Sequence, residues 1–150
     1  MEEQQVKNAA SLVFKTLGAG FSERVYHNAI EVYLNKIGAP FKSEHVIPVK
    51  FMNVDVGTVR ADLVINDCLV VELKATGSIR DTHTTQCFMY MKLLNIKKGV
   101  VINFPSTDDE DVEINELVLT DDTICKRCGR DNHSADSCYA KKHLKGYFIN

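Results

Sequence analysis

Residues 60–75 read RADLVINDCLVVELKA, and the parity of this stretch decides both the architecture and the chemistry of the protein. Two β-rich runs, VGTVRADLVI ending at Ile65 and LVVELKA starting at Leu69, flank the turn residues Asn66 and Asp67, which is the pattern of an antiparallel hairpin. Both runs are apolar on both faces, so they are expected to be central strands. Side chains alternate across a strand, so Glu72 and Lys74 share one face and Leu73 takes the other. Whether Asp62 joins them depends on the turn. A two-residue loop pairs Ile65 with Cys68 and Asp62 with Val71, on the wrong face. A three-residue loop, Asn66-Asp67-Cys68, pairs Ile65 with Leu69 and sets Asp62 opposite Glu72.

With the longer loop, two carboxylates and an ammonium meet between apolar layers. Carboxylates so placed repel each other unless a cation joins them, and hard oxygen ligands suit Mg²⁺ or Mn²⁺. Lys74 would stand beside the attacking water and offset charge on phosphorus, which points to phosphodiester hydrolysis.

Outward from the hairpin, Val6, Ala9, Val13, Phe14 and Leu17 recur at helical spacing until Gly18 and Gly20 interrupt. Ser22 is placed to N-cap a second helix through Val25, Ala29, Val32, Leu34 and Ile37, which Gly38 and Pro40 end. His45 to Phe51 is β-rich but contains Pro48, which removes a ladder donor and predicts an edge strand or a bulge. Ile79, His83, Gln86, Tyr90 and Leu93 mark a third helix, followed by the short buried strand VVINF, residues 100–104. Residues 105–122 hold eight acidic residues and no basic one, read as a solvated face and linker. Within this segment, Val112, Ile114, Leu117 and Leu119 fit a last strand or a helical turn equally well. Cys68 and Cys87 stand alone in apolar surroundings and are expected to be small buried hydrophobes.

Three stretches, LGAGFSERVYHNAIEVYL, RADLVINDCLVVELKA and HTTQCFMYMKLLNIKKGVVINF, together resemble the GxxExxY family, a branch of the PD-(D/E)xK nuclease superfamily. The likeness spans roughly residues 11–104. Gly20-Phe21-Ser22-Glu23-Arg24-Val25-Tyr26 carries the naming motif, Asp62 with Glu72 and Lys74 the nuclease signature, and Gln86 with Tyr90 the accessory pair on the following helix. Ala61 stands where the superfamily's name has proline. The resemblance implies a restriction-endonuclease-like α/β fold, a mixed central sheet flanked by helices. It implies a candidate catalytic set of Glu23, Asp62, Glu72, Lys74, Gln86 and Tyr90, with Glu23, Asp62 and Glu72 around Mg²⁺ or Mn²⁺. His27, four residues after Glu23 on the same face, reads as a surface or satisfied histidine.

The C-terminal segment follows different rules. Cys125, Cys128, His133 and Cys138 have the spacing C-x2-C-x4-H-x4-C, a closed tetrahedral Zn²⁺ set, with Gly129 allowing the tight turn. It resembles the CCHC zinc knuckle. Residues 1–122 carry twelve basic against eighteen acidic residues, whereas residues 123–150 carry six against two. Lys126, Arg127 and Arg130 are therefore the expected contacts to nucleic-acid phosphates. The chain divides accordingly into a nuclease-like domain over residues 1–120 and a knuckle module over residues 121–150.

With 150 residues, 45% hydrophobic and 25% charged, the composition is that of a globular domain and excludes fibrous and disordered classes. No apolar run approaches the length of a membrane span, and MEEQQVKNAA lacks the basic and then apolar pattern of a signal peptide. An intracellular protein, in cytoplasm or nucleus, is expected. The reading is a divalent-metal-dependent hydrolase of DNA or RNA whose knuckle holds the nucleic acid. The rival is a noncatalytic nucleic-acid or protein adaptor that kept the fold, which the acidic balance of residues 1–122 favours.

Overall fold

The helical stripe that begins at Val6 folds as α1, Glu2–Leu17, and buries Val6, Ala9, Ala10 and Val13. A computed structural model describes residues 2–120, so the zinc set and basic tail lie outside the described residues. The second stripe is α2, Glu23–Lys36, which buries Tyr26, His27, Ile30 and Leu34. Ser22 does sit at its N-cap in extended conformation, but its side chain makes no capping hydrogen bond. The strands are β1 (Phe41–Phe51), β2 (Val54–Ile65), β3 (Leu69–Lys74), β4 (Lys98–Asn103) and β5 (Glu113–Val118), with α3 (Asp81–Leu94) between β3 and β4.

Among the described residues these strands form one sheet in the order β1-β2-β3-β4-β5. Only β3 and β4 are parallel, and α3 makes the crossover that a parallel pair requires. This is the mixed α/β sheet expected. β1 lies at one edge and has a register irregularity between Val49 and Lys50, so Pro48 is accompanied by both of the features it predicted. The strand starts at Phe41, four residues before the expected His45, because its first residues pair with the buried end of β2. Between Val112 and Leu119 the segment resolves as strand: β5 pairs antiparallel with β4 from Asn103↔Glu113 to Lys98↔Val118.

One face of the sheet packs Leu63, Ile65, Leu69, Val71, Leu73, Val100 and Ile102 against the buried residues of α1 and α2. α3 covers the other face. Its Met91 and Cys87 lie so close to β4 that a Cβ on Gly99 would meet Met91 Sδ at 2.5 Å and Cys87 Sγ at 3.0 Å. Glycine is required there by contact, and even one methyl group would overpack the layer.

Two expectations fail here. Only the second half of β2 is central: Val54 to Thr58 are exposed, because β1 and β2 run on as a two-stranded arm beyond the helices. Cys68 is exposed in the β2–β3 turn, whereas Cys87 is buried as expected, with its thiol pushed up to about 12 by desolvation. No helix among the described residues is long and apolar enough to cross a membrane.

Candidate active site

The β2–β3 turn has three residues. Ile65 pairs with Leu69, Val64 with Val70 and Leu63 with Val71, and the loop bends through Asn66 (φ 52°) and Asp67 (φ 53°), both left-handed. Asn and Asp tolerate this conformation better than other side-chain-bearing residues. The odd loop length puts Asp62 across from Glu72. Asp62 N donates to Glu72 Oε1 at 3.1 Å, and Leu73 N donates to Asp62 Oδ2 at 2.8 Å, so each carboxylate grips the other strand's backbone.

Glu72 is 2% exposed. Desolvation, followed by the negative charge of Asp62, pushes its carboxyl up to about 8. Glu23, presented by the first turn of α2, faces the same group and is also raised, first by burial and then by Asp62. Lys74 Nζ stands 3.9 Å from Glu72 Oε2 and donates to Gln86 Oε1 at 3.3 Å. Tyr90 is buried one turn after Gln86, and desolvation with the charges of Glu72 and Asp62 lifts its phenol to about 12. It stays protonated at neutral pH and can donate. All six residues singled out from the sequence are therefore electrostatically or directly linked around one end of β3.

The site is a set of donors and not a finished cage: among the described residues no group of three or more His, Cys, Asp or Glu side chains stands ready to hold a metal ion. The reason is visible in the hydrogen bonds, since Asp62 and Glu72 each turn one oxygen to a backbone N–H. The donor set nonetheless fits a hard divalent cation. It consists of carboxylate oxygens, and two of its members, Glu72 and Glu23, are destabilised as anions by burial and by neighbouring negative charge.

The stretch from Gly18 to Tyr26 has a mechanical role. Tyr26 OH donates to Gly18 O at 2.7 Å and accepts from Phe21 N at 3.4 Å, while its ring stacks on Phe104 with centroids 4.2 Å apart. The loop it clamps contains Gly20 at φ 103°, a backbone state open to glycine. Glu23 starts the helix immediately after this clamp. His27 is satisfied, as expected: Nε2 lies 3.0 Å from Ser43 Oγ and 2.7 Å from Glu31 Oε2.

Three supporting residues escaped the sequence reading. Asn103, buried on β4, ties the segment after β3 through bonds to Thr76 N (2.8 Å) and Thr76 O (2.9 Å). Glu113 accepts from Ile79 N at 2.8 Å, and Asp108 accepts from Ala19 N at 2.7 Å. Part of the acidic run is thus structural and does more than face solvent. The only signal for Asn103 was an amide inside the apolar run VVINF; for the two acids there was none.

Comparison with known proteins places these features in context. The model of the PD-(D/E)XK nuclease superfamily matches residues 1–116. Among solved structures, the chain is similar to SSO0001, with 22% identity over 63% of this chain and 48% of that one and a TM-score of 0.48. It thus spans about half of SSO0001. It is also similar to an alkaline exonuclease, LHK-Exo, from Laribacter hongkongensis, with 13% identity over 81% and 84% of the two chains and a TM-score of 0.45. No curated protein matches the chain.

Proposed function

Because the chain belongs to the PD-(D/E)XK nuclease superfamily, we propose that it is a divalent-metal-dependent nuclease hydrolysing phosphodiester bonds of DNA or RNA. In this reading residues 1–120 are its nuclease domain, and residues 121–150 comprise the end of an acidic linker, a zinc knuckle that would contact the nucleic acid, and a basic tail. The observation that carries this reading is the pairing of Asp62 and Glu72 on one sheet face beside Lys74. Glu23, Asp62 and Glu72 would hold Mg²⁺ or Mn²⁺, which when bound would neutralise the carboxylates and stabilise charge developing on the phosphate.

The chain's own residues supply the rest. Gln86 holds the Lys74 ammonium at the rim of the carboxylate pair, where it orients the attacking water and opposes negative charge on the pentavalent phosphorus. Tyr90 donates from its phenol, and the Tyr26 clamp keeps Glu23 directed at the site. In the knuckle, Cys125, Cys128, His133 and Cys138 would bind Zn²⁺, and Lys126, Arg127 and Arg130 would contact phosphates.

The test is cleavage of labelled single- and double-stranded DNA and RNA by the full chain, with Mg²⁺, with Mn²⁺ and with chelator. Metal-dependent products support the reading. Nucleic-acid binding without cleavage under every condition would leave the adaptor, which the acidic balance of residues 1–122 favours. For the knuckle, Cys128→Ser in the full chain is expected to release zinc, weaken binding and flatten its salt dependence, since each lost phosphate contact lowers the log-log slope by about 0.7–0.9.

A further inference from the structure

Three polar residues, His83, Gln86 and Tyr90, follow one another along α3, and the proposed reaction uses only the last two. The stripe they form does not face solvent. Exposed positions of this helix include Thr82, Thr85 and Lys92, whereas His83 and Gln86 are half-buried and Tyr90 is buried.

Successive turns of α3 meet successive groups of the site. The charges of Glu72 and Asp62 act on Tyr90, Gln86 accepts from Lys74 Nζ at 3.3 Å, and the charge of Lys74 also acts on His83. This order follows from the topology: α3 is the crossover between the parallel strands β3 and β4, so it starts beyond the end of β3 and runs back along it. At a rise of 1.5 Å per residue, His83 stands about 4.5 Å along the helix axis from Gln86, on the side away from the acids.

The His83 ring is fixed and keeps one donor. Nδ1 accepts from Arg80 N at 3.1 Å, so the proton of the neutral ring sits on Nε2. Among the described residues Nε2–H has no acceptor. Burial, followed by the positive charges of Lys74 and Arg80, holds the imidazole below its usual value, which keeps it neutral at neutral pH. A half-buried donor with two cations for neighbours complements an anion, and in a nuclease the anion at hand is the backbone of the substrate.

We propose that His83 is a substrate-binding residue of the nuclease site, whose Nε2–H donates to a non-bridging oxygen of the phosphate next to the cleaved one, on the Lys74 side of the carboxylates. This deepens the nuclease reading and rests on it. The strand then crosses the site from the acids over Lys74 to the start of α3, and the grip on the neighbouring phosphate fixes which linkage lies over Asp62 and Glu72. DNA and RNA present the same phosphate, so the contact serves either. The rival role is capping alone, because the bond that fixes the ring also satisfies a backbone N–H at the start of α3.

The experiment measures kcat and KM of the full chain on whichever labelled DNA or RNA strand the parent cleaves, with one methylphosphonate, which lacks the anionic oxygen, placed at each linkage in turn. His83→Ala is expected to raise KM about tenfold or more, as loss of a hydrogen bond to a charged group should, with most of the fall in kcat/KM carried by KM. In the parent, a methylphosphonate beside the cleaved linkage should raise KM by a similar factor. In His83→Ala the same linkage should cost less than about twofold, because the contact is already gone. His83→Glu keeps an acceptor at the capping position and lacks the donor, so there the neutral linkage should lower KM. A His83→Ala KM within about twofold of the parent, or a methylphosphonate penalty equal in parent and variant at every linkage, overturns the proposal and leaves His83 a cap, whose loss is read separately as a lower thermal midpoint. Either result in a parent that cleaves removes this contact alone. A parent that cleaves no strand in Mg²⁺ or Mn²⁺ removes the nuclease reading and the contact with it.

Discussion

The two halves of β2 carry similar sequence and meet opposite fates. Ala61, Leu63, Val64 and Ile65 are buried between α1 and α2 on one side and α3 on the other, and Asp62 in their midst faces Glu72 across the strand pair. Val54 and Val56, equally β-branched, stand in solvent on the arm. Both form regular strand apart from the register shift opposite Val49 and Lys50; what differs most is whether a third strand and a helix arrive to cover them. Burial is also what gives the acids their chemistry: near helices and neighbouring carboxylates Glu72 is pushed up to about 8, whereas Asp55 on the arm simply pairs with Lys50 at 3.6 Å.

The sharpest way to break this contrast is through the buried end. Lys74→Ala is expected to lower metal-dependent cleavage by a factor of about 10²–10⁴ while leaving thermal unfolding nearly unchanged, since the ammonium opposes charge in the transition state and contributes little to packing. An unchanged cleavage rate in this variant would remove Lys74 from the site. For stability, Leu63→Ala is expected to cost about 2–5 kcal/mol in denaturant unfolding, and Val56→Ala on the arm less than about 0.5 kcal/mol. Similar costs at both positions would mean that the arm is covered in solution.

Glu72→Gln sharpens the electrostatic side. Gln keeps an acceptor for Asp62 N and takes up no proton, whereas the Glu72 carboxyl, ionised in the unfolded chain near neutral pH and pushed up to about 8 in the fold, must gain one on folding; in chelator the variant is therefore expected to unfold about 1–3 kcal/mol harder than the parent near neutral pH, a difference that fades as pH falls toward about 4.5. The gain should vanish when Mg²⁺ is added to both. A variant less stable than the parent in chelator would show that the Glu72 charge is already compensated.

The smallest effect lies at an ordinary surface pair. Glu3 is held at about 2 by Lys98, whose Nζ is 2.8 Å away. Its folded pKa lies below the unfolded value, so the stability it contributes is present above about pH 4.5 and is lost as pH falls through about 2. Solvent screening keeps that contribution to about 0.5 kcal/mol. Glu3→Gln should remove this acid-side loss, measured as the midpoint of urea unfolding between pH 5 and pH 2; an equally steep loss in the variant would assign it to other carboxylates.

Much of the fold was written locally. Three helical stripes gave three helices, the first two ending at the punctuation of Gly18 and Gly38, and Pro48 did mark an edge strand. These features depend on periodicity and backbone sterics, which act over a few residues. The membership of the candidate site was legible as well, because Glu23, Asp62, Glu72, Lys74, Gln86 and Tyr90 fall on named motifs. Their meeting was not. It turned on one residue of loop length between Ile65 and Leu69, which strand alternation makes an all-or-nothing choice and which Asn66, Asp67 and Cys68 permit in either form.

Other features belonged to the tertiary structure alone. That Asp108 and Glu113 would bind the backbone of Ala19 and Ile79, from distances of 89 and 34 residues, is a matter of which surfaces happen to meet. That Cys68 would be exposed in its turn, and that half of β2 would leave the core as an arm, was set by what packs against each segment. Local sequence determines what a segment can be, through sterics and periodicity. Burial, and with it the charge state of Glu72 and the exposure of Phe51, is set by what packs against the segment, and that is decided only when the whole chain has closed.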